Sequence, residues 1–218
     1  MLVILGSAFD DQPWRLAERW AERDVAVVTP GDLSRPGWRL RRGRPRELRA
    51  ALANRIIAGD EIDAVVSLLP WVWTHDLPHI VTADREYVAN EMAAFLLAWL
   101  AELDCPVVER PTPSSLAGCG WWPAEWVALG RRVGVRGDAA WVDGTVEVTV
   151  VGGRAVDGDT STLRMAAEVV AEAAGMSLVT LHFADQDHDD PILVGAAPRP
   201  AAGSAAAADA LLSWLESR

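Results

Sequence analysis

The chain has 218 residues, half of them hydrophobic and 23% charged, enough for one large domain or two small lobes around a substantial core. It contains arginine but no lysine and carries a net charge of −11. That charge opposes nonspecific nucleic-acid binding, and the missing ε-amine removes the P-loop lysine, the Schiff base and the kinase phosphate lysine. Two cysteines, Cys105 and Cys119, are too few for a disulfide framework or a zinc cluster and read as small buried hydrophobes.

Leu2–Leu5 reads as a buried strand leaving through Gly6, without the basic region of a signal peptide. A helix is expected from Asp11 to Glu22, with Pro13 in its first turn and Trp14, Leu16, Ala17 and Trp20 facing inward. Val25–Val28 is the second strand, ended by Thr29-Pro30-Gly31. Seven arginines follow (Arg35, Arg39, Arg41, Arg42, Arg44, Arg46, Arg49), a basic island that needs mobility or acidic partners of its own, and then a short helix near Glu47–Ile57. Ile62–Leu69 is a third apolar strand, so the alternation argues for a parallel sheet. The strongest helix spans Asp84 to Leu103, with Tyr87, Val88, Met92, Phe95, Leu96 and Trp99 as its apolar stripe. Cys105–Val108 is a strand, and Pro123 opens a helix to about Val133. Thr145–Val150 and Arg154–Val156 form a hairpin around Gly152-Gly153. A helix runs from Asp159 or Thr160 to Ala174, a strand pair flanks the acidic loop 184–190, and a last helix carries Leu211, Leu212, Trp214 and Leu215.

The middle of the chain, LLPWVWTHDLPHIVTADREYVANEMAAFLLAWLAELDCPVVERPTP, resembles the pre-ATP-grasp region of ATP-grasp proteins of the RimK-like and peptide-maturase type. The pattern is carried by Asp84, Tyr87 and Glu91 on a helix, then a strand ending in Glu109-Arg110-Pro111, and extends roughly over residues 1–136. The resemblance implies an α/β fold: a parallel-sheet pre-ATP-grasp-like domain over 1–118, a connecting helix and truncated linker over 119–143, and a small α+β remnant of the C-terminal ATP-grasp lobe over 144–218. Between the Pro123 helix and the Thr145 hairpin the family places a subdomain bearing its nucleotide lysine. Here only the linker RGDAAWVDG stands there. The family's magnesium ligands fall on His182, Leu193 and Gly195, and leucine and glycine side chains offer a cation no oxygen. The resemblance therefore implies a contracted relative without ligase chemistry and without a nucleotide or metal cofactor.

His75 and His79 have the spacing that shares a metal on a helix, but Pro70 and Pro78 argue against helix there, and no metal site is expected. The loop with Asp185, Asp187, His188, Asp189 and Asp190 lacks the calcium-loop glycine and reads as a solvated turn. No G-x-S-x-G or G-x-G-x-x-G is present. Asp84, Tyr87 and Glu91 either organise their helix or touch a substrate. Arg110, at a strand end where α/β sheets bind ligands, is an anion contact or an ion pair with Glu109 or Glu91. Trp121, Trp122 and Trp126 are core or a partner surface, in a chain with 11 Trp against 3 Phe and 1 Tyr. The function expected is a cytoplasmic, non-catalytic binding or scaffold subunit accessory to a pathway that modifies peptides or small molecules. Its partners would be a protein or a second copy of itself, with a peptide or small molecule as ligand and neither nucleic acid nor membrane. The alternative is an enzyme of another class that uses carboxylate, histidine or arginine chemistry without ATP. For it to hold, polar groups must converge in a pocket.

Overall fold

The computed structural model describes residues 1–52, 55–139, 144–185 and 190–218, and they divide into two units, Met1–Gly120 and Trp121–Arg218. The first unit is built on β1 (Leu2–Leu5), which continues into α1 (Asp11–Arg19). Asp10 caps α1 by accepting the N–H of Gln12 at 2.9 Å. Pro13 packs so closely on the strand end that a Cβ at Gly6 would lie 2.2 Å from its ring. The inner face of α1 is Pro13 and Leu16, continued by Trp20 beyond its end. Trp14, expected inward, is 48% exposed because one residue's step of 100° carries it off that face.

After β2 (Val25–Val28) the chain makes the short helix α2 (Pro30–Leu33). Among the described residues of the segment Glu47–Ile57, where a short helix is expected, there is no α-helix. A 3₁₀ turn over Pro45–Glu47 leads instead to β3 (Arg49–Ala51), paired antiparallel with β4 (Ile56–Ala58). Its alanines favour helix locally, but Leu48, Ala50 and Ile57 are drawn into the core, and that burial overrides propensity. β5 (Ala64–Ser67) leads to 3₁₀ turns at Thr74–Asp76 and Thr82–Asp84 and then to α3 (Arg85–Ala101). The inner face of α3 is Ala89, Ala93, Leu96 and Leu100. Tyr87 is two positions out of that phase and 69% exposed, not part of the buried stripe. With β6 (Val107–Val108) the strands form a parallel sheet in the order β2-β1-β5-β6.

The second unit begins with α4 (Pro123–Arg132) and β7 (Arg136–Gly137). It continues with β8 (Thr145–Val151), β9 (Arg154–Ala155), α5 (Ser161–Ala174), β10 (Leu178–Ala184), β11 (Ile192–Ala197) and α6 (Ala205–Glu216). The sheet order is β7-β11-β10-β8-β9, with β7 parallel to β11 and the other pairs antiparallel. The hairpin turns at Gly152-Gly153 as its alternation predicts. Gly152 sits at φ 58°, where a Cβ would lie 2.3 Å from the Trp214 ring of α6. Thr160 caps α5, and Gly175 ends it in the left-handed region. The chain is thus mixed α/β, a parallel-sheet unit followed by a largely antiparallel one.

Candidate functional site

In the first unit the strand order reverses between β1 and β5, and α/β sheets bind ligands beyond the carboxyl ends of their strands at such a point. The loops there are tied together. The Ser7 hydroxyl donates to the buried carboxylate of Asp76, whose second oxygen accepts the N–H of Trp73 at 2.9 Å. The ring of Phe9 meets His75 edge-on at 6.0 Å, and His79 instead shares a 2.7 Å hydrogen bond with Ser34. His75 and His79 therefore have different neighbours, and their segment is not an α-helix. Among the described residues no group of three or more His, Cys, Asp and Glu is arranged to hold a metal. Of the acidic loop, Asp187, His188 and Asp189 lie outside the described residues, while Asp190 pairs with Arg136.

Beyond β6, Glu109 adopts φ 53°, a left-handed conformation uncommon outside glycine. Arg110 follows and is exposed, and among the described residues it makes no ion pair with Glu109 or Glu91, the alternative to an anion contact. Cys105, just before β6, is a free, half-buried thiol whose pKa burial raises to about 11. It stays protonated and unreactive at neutral pH.

Tyr87 and Glu91 come together on the outer border of α3, one turn apart. With Val88, Met92 and Phe95 of the same helix, and Leu33 and Trp38 from the segment after β2, they line a groove of about 310 Å³. Trp38 is fixed there, its indole N–H donated to the carbonyl of Asp32 at 2.9 Å and its ring edge-on to Phe95 and Trp99 at 5.7 and 5.3 Å. Asp84 is exposed in the turn before α3 and does not line the groove. Leu33 and Trp38 are its unanticipated members. The only signal in the sequence was a lone indole between Pro36-Gly37 and Arg39.

Four of the seven arginines in the island pair with three of the protein's own acids. Arg35 pairs with Asp32 at 3.0 Å, Arg44 and Arg41 with Glu47 at 2.8 and 3.7 Å, and Arg42 with Glu102 at 3.9 Å. The hydrogen bond from Arg44 holds the Glu47 carboxyl below the usual range. Arg49 is spent on the carbonyls of Arg46 and Leu48.

In the second unit the three indoles separate. Trp126 is core at 1% exposure, Trp121 stacks edge-on against it at 4.9 Å, and Trp122, the residue before α4, is 76% exposed. The accessible surface is therefore Trp122 with the rim of Trp121, because the inward phase of α4 takes Trp126 with Val127 and Leu129. On the strands, His182 lies opposite Gly195 and Phe183 opposite Leu193, with a bulge between. Leu193 is fully buried and packs 2.8 Å from where a Cβ at Gly130 of α4 would stand; a Cβ at Gly195 would lie 3.6 Å from Pro123. His182 faces Glu147 at 3.5 Å, and burial lowers its pKa. A half-buried imidazole, a leucine under a helix and a glycine do not fit a magnesium site.

No protein-family model matches the sequence, and no curated protein matches it. Solved structures do. The ATP-grasp ligase PsnB, complexed with minimal precursor, Mg and ADP, matches with a TM-score of 0.68 at 10% identity, over 99% of this chain and 98% of that one. The macrocyclase MdnC from Microcystis aeruginosa MRC, bound with precursor peptide MdnA, matches with a TM-score of 0.70 at 9% identity over 97% and 98%. A Chryseobacterium gregarium RiPP-associated ATP-grasp ligase, in complex with ADP and a leader and core peptide, gives 0.64 at 8% over 99% and 96%. Identities this low establish the fold, and the fold is ATP-grasp-like, as the resemblance of the middle segment implies.

Proposed function

We propose that this chain is an ATP-grasp-like binding subunit in a biosynthetic route that modifies a peptide or small molecule, and that it does not itself ligate with ATP. The observation that carries this reading is the strand pair β10–β11. Where the resemblance places oxygen ligands for magnesium, it has His182, a Leu193 buried under α4 and Gly195. The absence of lysine from the whole sequence supports the same reading, since nothing here supplies an ε-ammonium for the phosphates. Precursor peptides are bound by several proteins of like fold, which supports a peptide as the ligand. Trp122, exposed at the start of α4, suits a partner surface.

The test is calorimetry with magnesium and ATP. Binding no tighter than millimolar is expected, whereas a micromolar constant, about −8 kcal/mol, overturns the reading. Sedimentation of the wild type against Trp122→Ala then reports whether the exposed indole sustains a dimer or hetero-complex.

A further inference from the structure

We infer that the groove beside α3 takes a basic side chain of a peptide, an arginine or lysine flanked by apolar residues. The inference rests on the binding-subunit reading and names the chemistry of what is bound. Three rings form the walls (Trp38, Tyr87 and Phe95), with Met92 and two aliphatic side chains, and the single charged group among them is Glu91. The Glu91 carboxylate has no hydrogen bond or ion pair among the described residues. Two arginines close in sequence to its lining are already engaged: Arg85 donates to the carbonyls of Ile80 and Pro78 at 2.8 and 3.1 Å, and Arg35 is held by Asp32 at 3.0 Å. The groove thus sets a carboxylate without an ion pair among the described residues beside aromatic faces, surroundings that attract a cation. The alkyl stem of a long basic side chain lies against the apolar wall while its head reaches Glu91. The size agrees. About 310 Å³ is at the lower end of ligand sites and accommodates one or two side chains. A protein of net charge −11 also favours a basic peptide over an acidic one. Because hydrogen bonding and ring contacts fix Trp38, little ordering opposes binding.

The experiment titrates the full chain with the blocked pentapeptide Ala-Leu-Arg-Leu-Ala and with its citrulline twin, which keeps the shape and loses the charge. The readouts are calorimetry and the indole N–H resonance of Trp38. The arginine peptide is expected to shift that resonance and to bind about tenfold more tightly than its twin. Glu91→Gln removes the difference without changing the melting temperature, since Glu91 is exposed and unpaired among the described residues. Tyr87→Ala, also at an exposed position, weakens both peptides. Equal affinities, no binding up to millimolar peptide, or indifference to Glu91→Gln overturns the inference. Binding that is lost in Trp122→Ala and unaffected by Glu91→Gln overturns the groove but leaves a binding subunit. Micromolar magnesium-ATP affinity overturns the subunit reading and leaves the groove result intact.

Discussion

Ser67 closes β5 with a hydroxyl that is buried and has no hydrogen-bond partner among the described residues. A buried hydroxyl without a partner costs about 1–3 kcal/mol, so Ser67→Ala is expected to raise stability by about 1 kcal/mol in urea denaturation. A loss of the same size would show that the hydroxyl is satisfied. His182 makes the complementary case, a titratable group held neutral. Burial lowers its pKa, and Glu147 at 3.5 Å opposes that only in part. As the pH falls through about 6.5, the unfolded chain takes up a proton that the folded chain refuses. The contribution is therefore present above that pH, declines below it, and levels off beneath the folded-state pKa. Urea midpoints are expected to fall between about pH 7 and pH 5.5, and to fall less steeply in His182→Asn. The Glu47 carboxyl, held low by Arg44, titrates in a more acidic window, which keeps the two effects separable.

At the scale of elements, the β8–β9 hairpin depends on a backbone that only glycine adopts cheaply. Gly152 has φ 58° and faces the Trp214 ring, while Gly153 has φ 81° and open space around it. Gly152→Ala is expected to cost about 1–3 kcal/mol more than Gly153→Ala, because it adds a clash with α6 to the same conformational strain. Scanning calorimetry on the two variants measures the difference, and equal losses would mean that Trp214 moves aside freely. This hairpin was legible in the sequence because alternation and a Gly-Gly turn agree. The β3–β4 pair was not. Its short alanine-rich stretch carries a helical preference, and only contacts with the distant core make it a strand pair. Helix phase was equally ambiguous at the edges of α1 and α3. Trp14 and Tyr87 are apolar enough for an inner face, yet their rotation places them outside it.

For the whole molecule, the parallel strands and the long α3 followed from periodicity, while the ATP-grasp-like architecture was implied by the family resemblance carried by Asp84, Tyr87, Glu91 and Glu109-Arg110-Pro111, and the structure and its neighbours agree on the fold. The candidate site was half legible. Tyr87 and Glu91 stood out, but the opposite wall comes from Leu33 and Trp38, about fifty residues earlier in the chain and hidden at the edge of an arginine run. Such non-local pairings leave no periodic trace. The island itself showed the reverse: its charge was obvious, but its disposition was settled by Asp32, Glu47 and Glu102, acids whose positions only the fold reveals.

The contact of Pro13 with Gly6 has a consequence for redesign. A helix start normally offers anions its free N–H groups, but in α1 the carboxylate of Asp10 already occupies that of Gln12, and Pro13 has none to give. The helix carries its own anion. Grafting a phosphate-cradling glycine loop after β1 therefore requires exchanging Asp10 and Pro13 together, since altering Gly6-Ser7 alone leaves the position filled from within.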